Sequence, residues 1–390
     1  MSDARPLYAV ITTSRADFGL LTGLIKAIDA DPEVKLHLIA TGMHLSQEFG
    51  NTVQQIEHSG LEVHDRVEMM LSSDTPVGMA KAMGLGLIGF GDLFGRVKPM
   101  LVILLGDRFE TLAVAQAAFV HRIPIVHISG GEVTFGALDD AMRHAITKLS
   151  TIHLTATESY RQRVIQLGEE PERVYSVGEI GLDAIKRDDL MDRLELEQDL
   201  GMHFGPVTML ITYHPETLNP DGVQAAAEAL FVALGQFPEA HFVVTAANAD
   251  ADGRLLNRLL KGFVGDHPGR AWWFNSLGSR RYLSMLRAVD VVVGNSSSGL
   301  VEAPSFGTPT VDIGERQEGR TRADSVLYAP SESQAITGAI HHAITPHFQE
   351  KASMAPNPYQ GDHTPESIVQ LLKGLELSAR KRFFDVDYSL

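Results

Sequence analysis

Two apolar runs in this chain end in acid. Leu101–Leu105 passes through Gly106 into Asp107-Arg108-Phe109-Glu110, and Ile123–Ile128 passes through Ser129-Gly130-Gly131 into Glu132, with Asp139 and Asp140 following. In an open parallel sheet, residues just beyond the carboxyl ends of neighbouring strands face one crevice. Asp107, Glu132 and Asp139 are therefore candidates for moving protons on and off a ligand. On the helix expected over Asp139–Lys148, Asp139 and Arg143 share a face, as do Asp140 and His144. Asp140 takes the cap and ion-pair role in this reading. Glu110, at a helix start, reads as a dipole-complementing residue worth about 0.3–1 kcal/mol. His127, at the end of an apolar strand, reads as a hydrogen-bonded core histidine.

Other loops offer complementary chemistry. Thr12-Thr13-Ser14-Arg15-Ala16-Asp17 follows the first strand and precedes a helix, a position where free N–H groups and a guanidinium attract an anion. Arg15 and Asp17 of this loop, and Arg108 of the GDRFE loop, are assigned to substrate binding, with an N-cap role for Ser14 or Asp17 compatible with it. In the TYHPET stretch, His214 is expected to titrate near neutral pH and to act as acid or base. Gly294-Asn295-Ser296-Ser297-Ser298-Gly299 ends a strand and opens a helix, which suits a phosphate cradle formed by Ser297 and Ser298. Glu302 lies one turn on, placed to accept a ribose hydroxyl pair, and Arg316 adds positive charge. No His/Asp/Glu set has zinc spacing, so neither metal nor cofactor is expected. Gly84-Leu85-Gly86-Leu87-Ile88-Gly89 matches G-x-G-x-x-G, but the residues before it read as helix and not strand. A tightly packed glycine-rich helix or turn is expected instead of a dinucleotide site.

These loops need elements to hold them. Strands are expected at Leu7–Thr12, Lys35–Ala40, Leu101–Leu105, Ile123–Ile128, Ile152–Ala156 and Val174–Val177, with helices such as Glu110–His121 between them. A charged helix over Leu182–Leu200 follows. The rhythm then restarts with strands at Val207–Tyr213, His241–Ala246, Ala271–Phe274, Val289–Val293 and Thr310–Ile313, and a closing helix at Pro365–Lys381. This alternation predicts two Rossmann-like α/β domains, residues 1–180 and 181–365, with the 366–390 segment packing on the first. Arg380-Lys381-Arg382 reads as a solvated basic helix end.

Composition sets the bounds. At 390 residues the chain exceeds the size at which one core stops growing, and 44% apolar with 21% charged residues is ordinary for a soluble globular protein. A net charge of −16 argues against nucleic acid as partner. No uninterrupted apolar run approaches ~20 residues, so no membrane span is expected. Zero cysteines and the absence of a signal-peptide core fit a cytoplasmic protein.

Taken in order, SRAD, GDRFE, HISGGE, DDAMRHAITKLS, TYHPET and GNSSSGLVEAPSFGTP resemble the hydrolysing UDP-N-acetylglucosamine 2-epimerases. The resemblance implies the GT-B fold, with nucleotide sugar in a cleft between two Rossmann-like domains, and a homodimer or homotetramer. It implies elimination across C1–C2 of the sugar, then hydration of the glycal to a free C2-epimer such as N-acetylmannosamine, with release of nucleoside diphosphate for nonulosonic acid synthesis. Asp107, Asp139 and His214 match catalytic positions of the family. Arg15, Ser297, Ser298, Glu302 and Arg316 match nucleotide-binding ones. Ser129 stands where some members carry a catalytic glutamate, whose role falls either to Glu132 or to another geometry on a different substrate. Serine there is similar to relatives acting on UDP-N,N′-diacetylbacillosamine or GDP-linked N-acetylglucosamine. The rival readings are a non-hydrolysing 2-epimerase, whose H-x-E-A-G-L-R signature is replaced here by HISGGEV, and a GT-B glycosyltransferase.

Overall fold

The computed structural model describes residues 5–48, 50–73, 75–134, 138–186, 189–215, 222–247 and 253–387. Glu216 and Thr217 of the TYHPET stretch, and Arg187 and Asp188 of the expected charged helix, lie outside them. The chain divides into two compact units. One is built from residues up to Glu132, Leu138–Ala184 and the chain from Gly361 onward; the other is Ile185–Gln360 with Val133 and Thr134.

In the first unit, seven strands form one parallel sheet: β1 Leu7–Thr12, β2 Lys35–Thr41, β3 Asp65–Val67, β4 Leu101–Leu105, β5 Ile125–Ile128, β6 Ile152–Thr155 and β7 Val174–Ser176. Their order is β3-β2-β1-β4-β5-β6-β7. Helices α1 Arg15–Ala30, α2 Val53–His58, α3 Pro76–Val97, α4 Phe109–Val120, α5 Leu138–Leu149 and α6 Glu158–Gln166 connect them. Successive strand residues point to opposite faces, and the two faces feed separate cores. Val10, Leu38 and Ile103 join the cluster that includes α1, whereas Ala9, Ile11, Val102 and Leu104 join Phe90 and Phe94 of α3. Both faces being covered explains why LVILL is apolar throughout and does not alternate.

The second unit opens with α7 Arg193–Leu200 and repeats the plan with β8 Val207–Thr212, α8 Val223–Leu234, β9 Ala240–Thr245, α9 Gly253–Gly265, β10 Ala271–Phe274 and α10 Gly278–Ala288. It continues through β11 Val291–Gly294, α11 Ser298–Val301, β12 Thr310–Ile313, β13 Val326–Ala329, α12 Ser333–Ala343 and α13 Pro346–Met354. The sheet order is β10-β9-β8-β11-β12-β13, again all parallel. The chain then returns to the first unit, where α14 Pro365–Gly374 packs its Ile368, Val369 and Leu372 into the α1 core.

Several expectations need correction. The G-x-G-x-x-G stretch does lie inside a helix, α3, which Thr75 caps at the Gly78 N–H (3.1 Å) with Pro76 in the first turn. That helix is nevertheless long and apolar enough, by length and composition, to cross a membrane. Its Phe90, Leu93 and Phe94 are core residues of the first unit, so the apolarity is accounted for by packing. Leu182–Leu200 is not one helix: a 3-10 stretch ends at Lys186, and α7 starts afresh from the Asp192 capping box. Only Leu196 of α7 is buried, so no apolar stripe was present to carry a longer helix. The closing helix stops at Gly374. Beyond it Lys381 is not solvated: it pairs with the buried Glu169 (2.8 Å), which Lys148 and His153 also hold. Burial works to raise the Glu169 carboxyl, but these three donors outweigh it and bring it to about 2. The edge strands β3 and β13 were missed, being short and, for β3, charged.

Candidate active site

Each sheet has a switch point, where strand order reverses and successive connections leave on opposite faces. In the first unit it lies between β1 and β4, and in the second between β8 and β11. Candidate residues collect at both, and each is described within its own unit.

At the first switch point, Ser14 caps α1 and Asp17 closes a capping box. The Asp17 carboxylate accepts from the N–H groups of Thr13 (2.7 Å), Ser14 (2.7 Å) and Phe18 (2.8 Å), and from the Thr13 hydroxyl (2.9 Å). Its oxygens thus hold the loop in shape beside Arg15. Arg15, next to the cap, is exposed. Behind the loop lies a residue the sequence did not single out: buried His44 bonds Thr12 (2.9 Å) and Thr52 (2.8 Å), and burial lowers its pKa.

Across the switch point, Asp107 forms an ion pair with Arg143. Arg143 is almost fully buried on α5, one turn beyond Asp139. The guanidinium expected to face Asp139 therefore reaches to β4 and brings Asp107 and α5 together. Asp140 pairs with His144 (3.6 Å), as assigned. Glu110 is more than a dipole residue: it is fully buried, one oxygen meets the Arg108 Nε (3.3 Å) and the other has no hydrogen-bond partner among the described residues. His127 is a core histidine. Its Nε2 lies 2.9 Å from the Gly106 carbonyl, which can only accept, so Nε2 carries the proton. Burial pushes its pKa down to about 3, so the ring is neutral.

After β5 the chain takes two unusual steps. Ser129 has φ +63°, a conformation L-residues other than Asn and Asp seldom adopt. Gly131 has φ +79°, and a Cβ there would press on the Tyr160 carbonyl. The next residue, Glu132, is thereby delivered buried at the same sheet edge as Asp107.

In the second unit, Asn295 clasps the switch point. Its side chain accepts from the His214 N–H (2.7 Å) and donates to the His214 carbonyl (2.9 Å). Its own carbonyl accepts from Arg316 Nη1 (3.0 Å) and Gln317 Nε2 (2.8 Å). His214, Arg316 and the serine loop are so fixed to one another by a residue that was quoted in the motif but given no role. The neutral-pH titration expected of His214 is corrected: burial, with Arg316 second, pushes its pKa down to about 3. The serine loop also differs in form. Helix α11 has only four residues, and Ser297 at its N-cap makes no side-chain cap bond, so the Ser297 hydroxyl is not consumed in capping. Ser298 is buried and bonds Ser296 and the Tyr282 phenol. Burial pushes the partly exposed Glu302 up to about 7. A cavity of about 340 Å³ adjoins His214, lined also by Tyr213, Pro215, Val223, Gly314 and Tyr328; it does not include the serine loop. Among the described residues no cluster of three or more His, Cys, Asp or Glu could hold a metal ion.

Two doubly wound parallel sheets, each with polar residues at its switch point, define a GT-B-like protein. The fold is similar to the UDP-GlcNAc 2-epimerase of Neisseria meningitidis bound to UDP-GlcNAc, with TM-score 0.80 at 17% identity over 94% of this chain and 99% of that one. It is also similar to the Methanocaldococcus jannaschii UDP-GlcNAc 2-epimerase in complex with UDP-GlcNAc and UDP, with TM-score 0.76 at 16% identity over 94% and 99%.

Residues 26–373 match the family model of UDP-N-acetylglucosamine 2-epimerase, and the chain belongs to that family. It is 36% identical, over 97% of its length and 98% of the relative's, to the hydrolysing GDP/UDP-N,N′-diacetylbacillosamine 2-epimerase of Campylobacter jejuni. It is 35% identical to the polysialic acid biosynthesis protein P7 of Escherichia coli, over 96% and 95% of the two chains. The hydrolysing UDP-N,N′-diacetylbacillosamine 2-epimerase of Legionella pneumophila is 34% identical over 95% and 96%.

Proposed function

We propose that this protein is a hydrolysing nucleotide-sugar 2-epimerase whose substrate is a UDP- or GDP-linked 2-acetamido sugar of the N,N′-diacetylbacillosamine type. The near full-length similarity to two hydrolysing diacetylbacillosamine epimerases is the observation that carries the substrate class. In the reaction a base removes the C2 proton, the C1–O bond to the diphosphate breaks with its electron pair leaving on oxygen, and an enzyme-bound glycal forms. Water then adds its hydroxyl at C1 while C2 is reprotonated on the opposite face, so substrate plus water gives nucleoside diphosphate plus the free C2-epimer. Asp107, Glu132 and Asp139 are assigned the proton transfers at the sugar. Arg15, Arg108, Ser297, Ser298 and Arg316 are assigned the diphosphate, and Glu302 the ribose. His214, whose ring burial and Arg316 keep neutral, gains proton affinity beside a bound diphosphate, because a nearby negative charge favours its cationic form. The reading includes a cytoplasmic location, supported by the absence of cysteine, and self-association of the chain.

The test is incubation with UDP-diacetylbacillosamine, its GDP counterpart and UDP-GlcNAc in D₂O, followed by NMR. The expected result is free nucleoside diphosphate with a free sugar inverted and deuterated at C2. An inverted sugar still bearing its nucleotide, or no turnover of any of the three donors, would overturn the assignment.

A further inference from the structure

Counting donors and acceptors in the serine loop assigns a residue that no motif pointed to. Ser296 Oγ accepts from the Ser298 hydroxyl (3.0 Å) and lies 3.4 Å from the Ser298 N–H. With its acceptor capacity engaged from inside the protein, what Ser296 has left to offer is its own O–H, for which the Tyr282 phenol is the inner neighbour and a bound ligand would be the outer one. Ser298, whose proton goes to Ser296, must accept from its remaining neighbour, and that neighbour is the Tyr282 phenol on α10. The phenol is suited to that task. Burial, and then the Glu302 carboxyl, push its pKa up to about 12 against the opposing hydrogen bonds of Ser298, Thr212 and Ser296, so at any physiological pH it is protonated and able to donate.

We propose that Tyr282 is a positioning residue for the reaction: its hydroxyl fixes the direction of a relay, Tyr282 to Ser298 to Ser296, that leaves the Ser296 O–H aimed outward as a donor to the diphosphate of the substrate. This rests on the nucleotide-binding reading of the serine loop. A hydroxyl whose orientation is set beforehand does not have to reorganise as negative charge builds on the departing oxygen, and that preorganisation is where such donors act most strongly. Without the phenol, Ser298 is free to turn its proton inward and Ser296 to turn with it. The ground-state complex, held by several other groups, is affected less than the transition state.

Tyr282→Phe keeps the ring that packs in α10 and removes only the donor. With UDP-diacetylbacillosamine as substrate, this variant is expected to lose roughly tenfold in kcat, a fraction of the loss seen when an oxyanion donor is removed outright, with KM changed less than about threefold. The discriminating measurement is the cycle with Ser298→Ala. If Tyr282 acts through Ser298, the double variant is no slower than Ser298→Ala alone, because the relay is already cut. Far-UV circular dichroism and UDP binding by calorimetry on each variant establish that the fold and the cradle survive. Multiplicative losses in the double variant, or a Tyr282→Phe enzyme within about twofold of the parent, would overturn the relay while leaving the proposed function standing. A parent protein that binds neither UDP nor GDP would instead remove the nucleotide-binding reading, and the relay with it.

Discussion

Two residues of the second unit carry opposite pH signatures. Burial raises the Glu302 carboxyl to about 7, above its ordinary value near 4.5. The folded protein therefore holds this proton through a pH range in which the unfolded chain has released it, and stability falls as pH rises from about 4.5 to 7. Glu302→Gln removes that penalty: the variant should melt higher than the parent at pH 8 and at the same temperature near pH 4.5. His214 works the other way. Its pKa is depressed to about 3 from 6.5, so between those values the unfolded chain binds a proton that the folded one refuses. Stability is lost as pH falls through that window, and His214→Asn should make the acid loss shallower. The only two tryptophans, Trp272 and Trp273, lie in the second unit. Tryptophan fluorescence therefore follows the unfolding of the unit concerned. Equal slopes for parent and variant in either window would contradict the corresponding assignment.

At the scale of elements, what matters is how strands end. Gly294 closes β11 at φ +147°, and a Cβ there would press on the Thr212 carbonyl of neighbouring β8. Gly294→Ala must push β8 and β11 apart where Asn295 clasps His214, so a loss of about 1–3 kcal/mol is expected from overpacking, in addition to backbone strain. UDP binding should weaken in parallel. A variant as stable as the parent in urea, with unchanged UDP affinity, would refute this. The strands themselves were legible because burial on both faces writes them as continuous apolar runs such as LVILL and VVVG. The loops were legible because glycines and acids stop those runs abruptly. Edges were not: β3 is a three-residue charged strand, and α14 ends at a glycine that a helical pattern runs through without pause. Nor could spacing reveal partners distant in the chain. Asn295 meets His214 across 81 residues, and Arg143 meets Asp107 across 36. The sequence offered Arg143 a nearer acid on its own helix, and only tertiary packing adds Asp107 as a partner.

For the whole molecule, helix α3 is where the proposed self-association is expected. Helix α3 turns one face to the first unit's core and leaves Val77, Leu85 and Ile88 exposed, Val77 and Ile88 by about two-thirds of their surface. On the same outer side a Cβ at Gly84 or Gly91 would meet nothing, so another backbone can approach closely there. A lone apolar stripe is ambiguous about its partner, but its charges are not. Lys81 lies six residues before Leu87 and Asp92 five after it, both exposed. Two copies of α3 crossed antiparallel near Leu87 therefore set each Lys81 against the other's Asp92, and Gly84 against Gly91, which is the self-complementarity a two-fold interface requires. A parallel arrangement would oppose like charges instead. Ile88, near the crossing point, should be the residue least tolerant of charge. Ile88→Glu places two carboxylates face to face at the axis, and size-exclusion chromatography with light scattering should move from a dimer-sized species to a monomer-sized one. Lys81→Asp alone should weaken the dimer and Lys81→Asp with Asp92→Lys should restore it, since the pair is exchanged and not destroyed. A parent that is monomeric at about 10 µM, a concentration at which a standard-sized interface would be populated, or an Ile88→Glu variant that stays dimeric, would remove α3 as the contact.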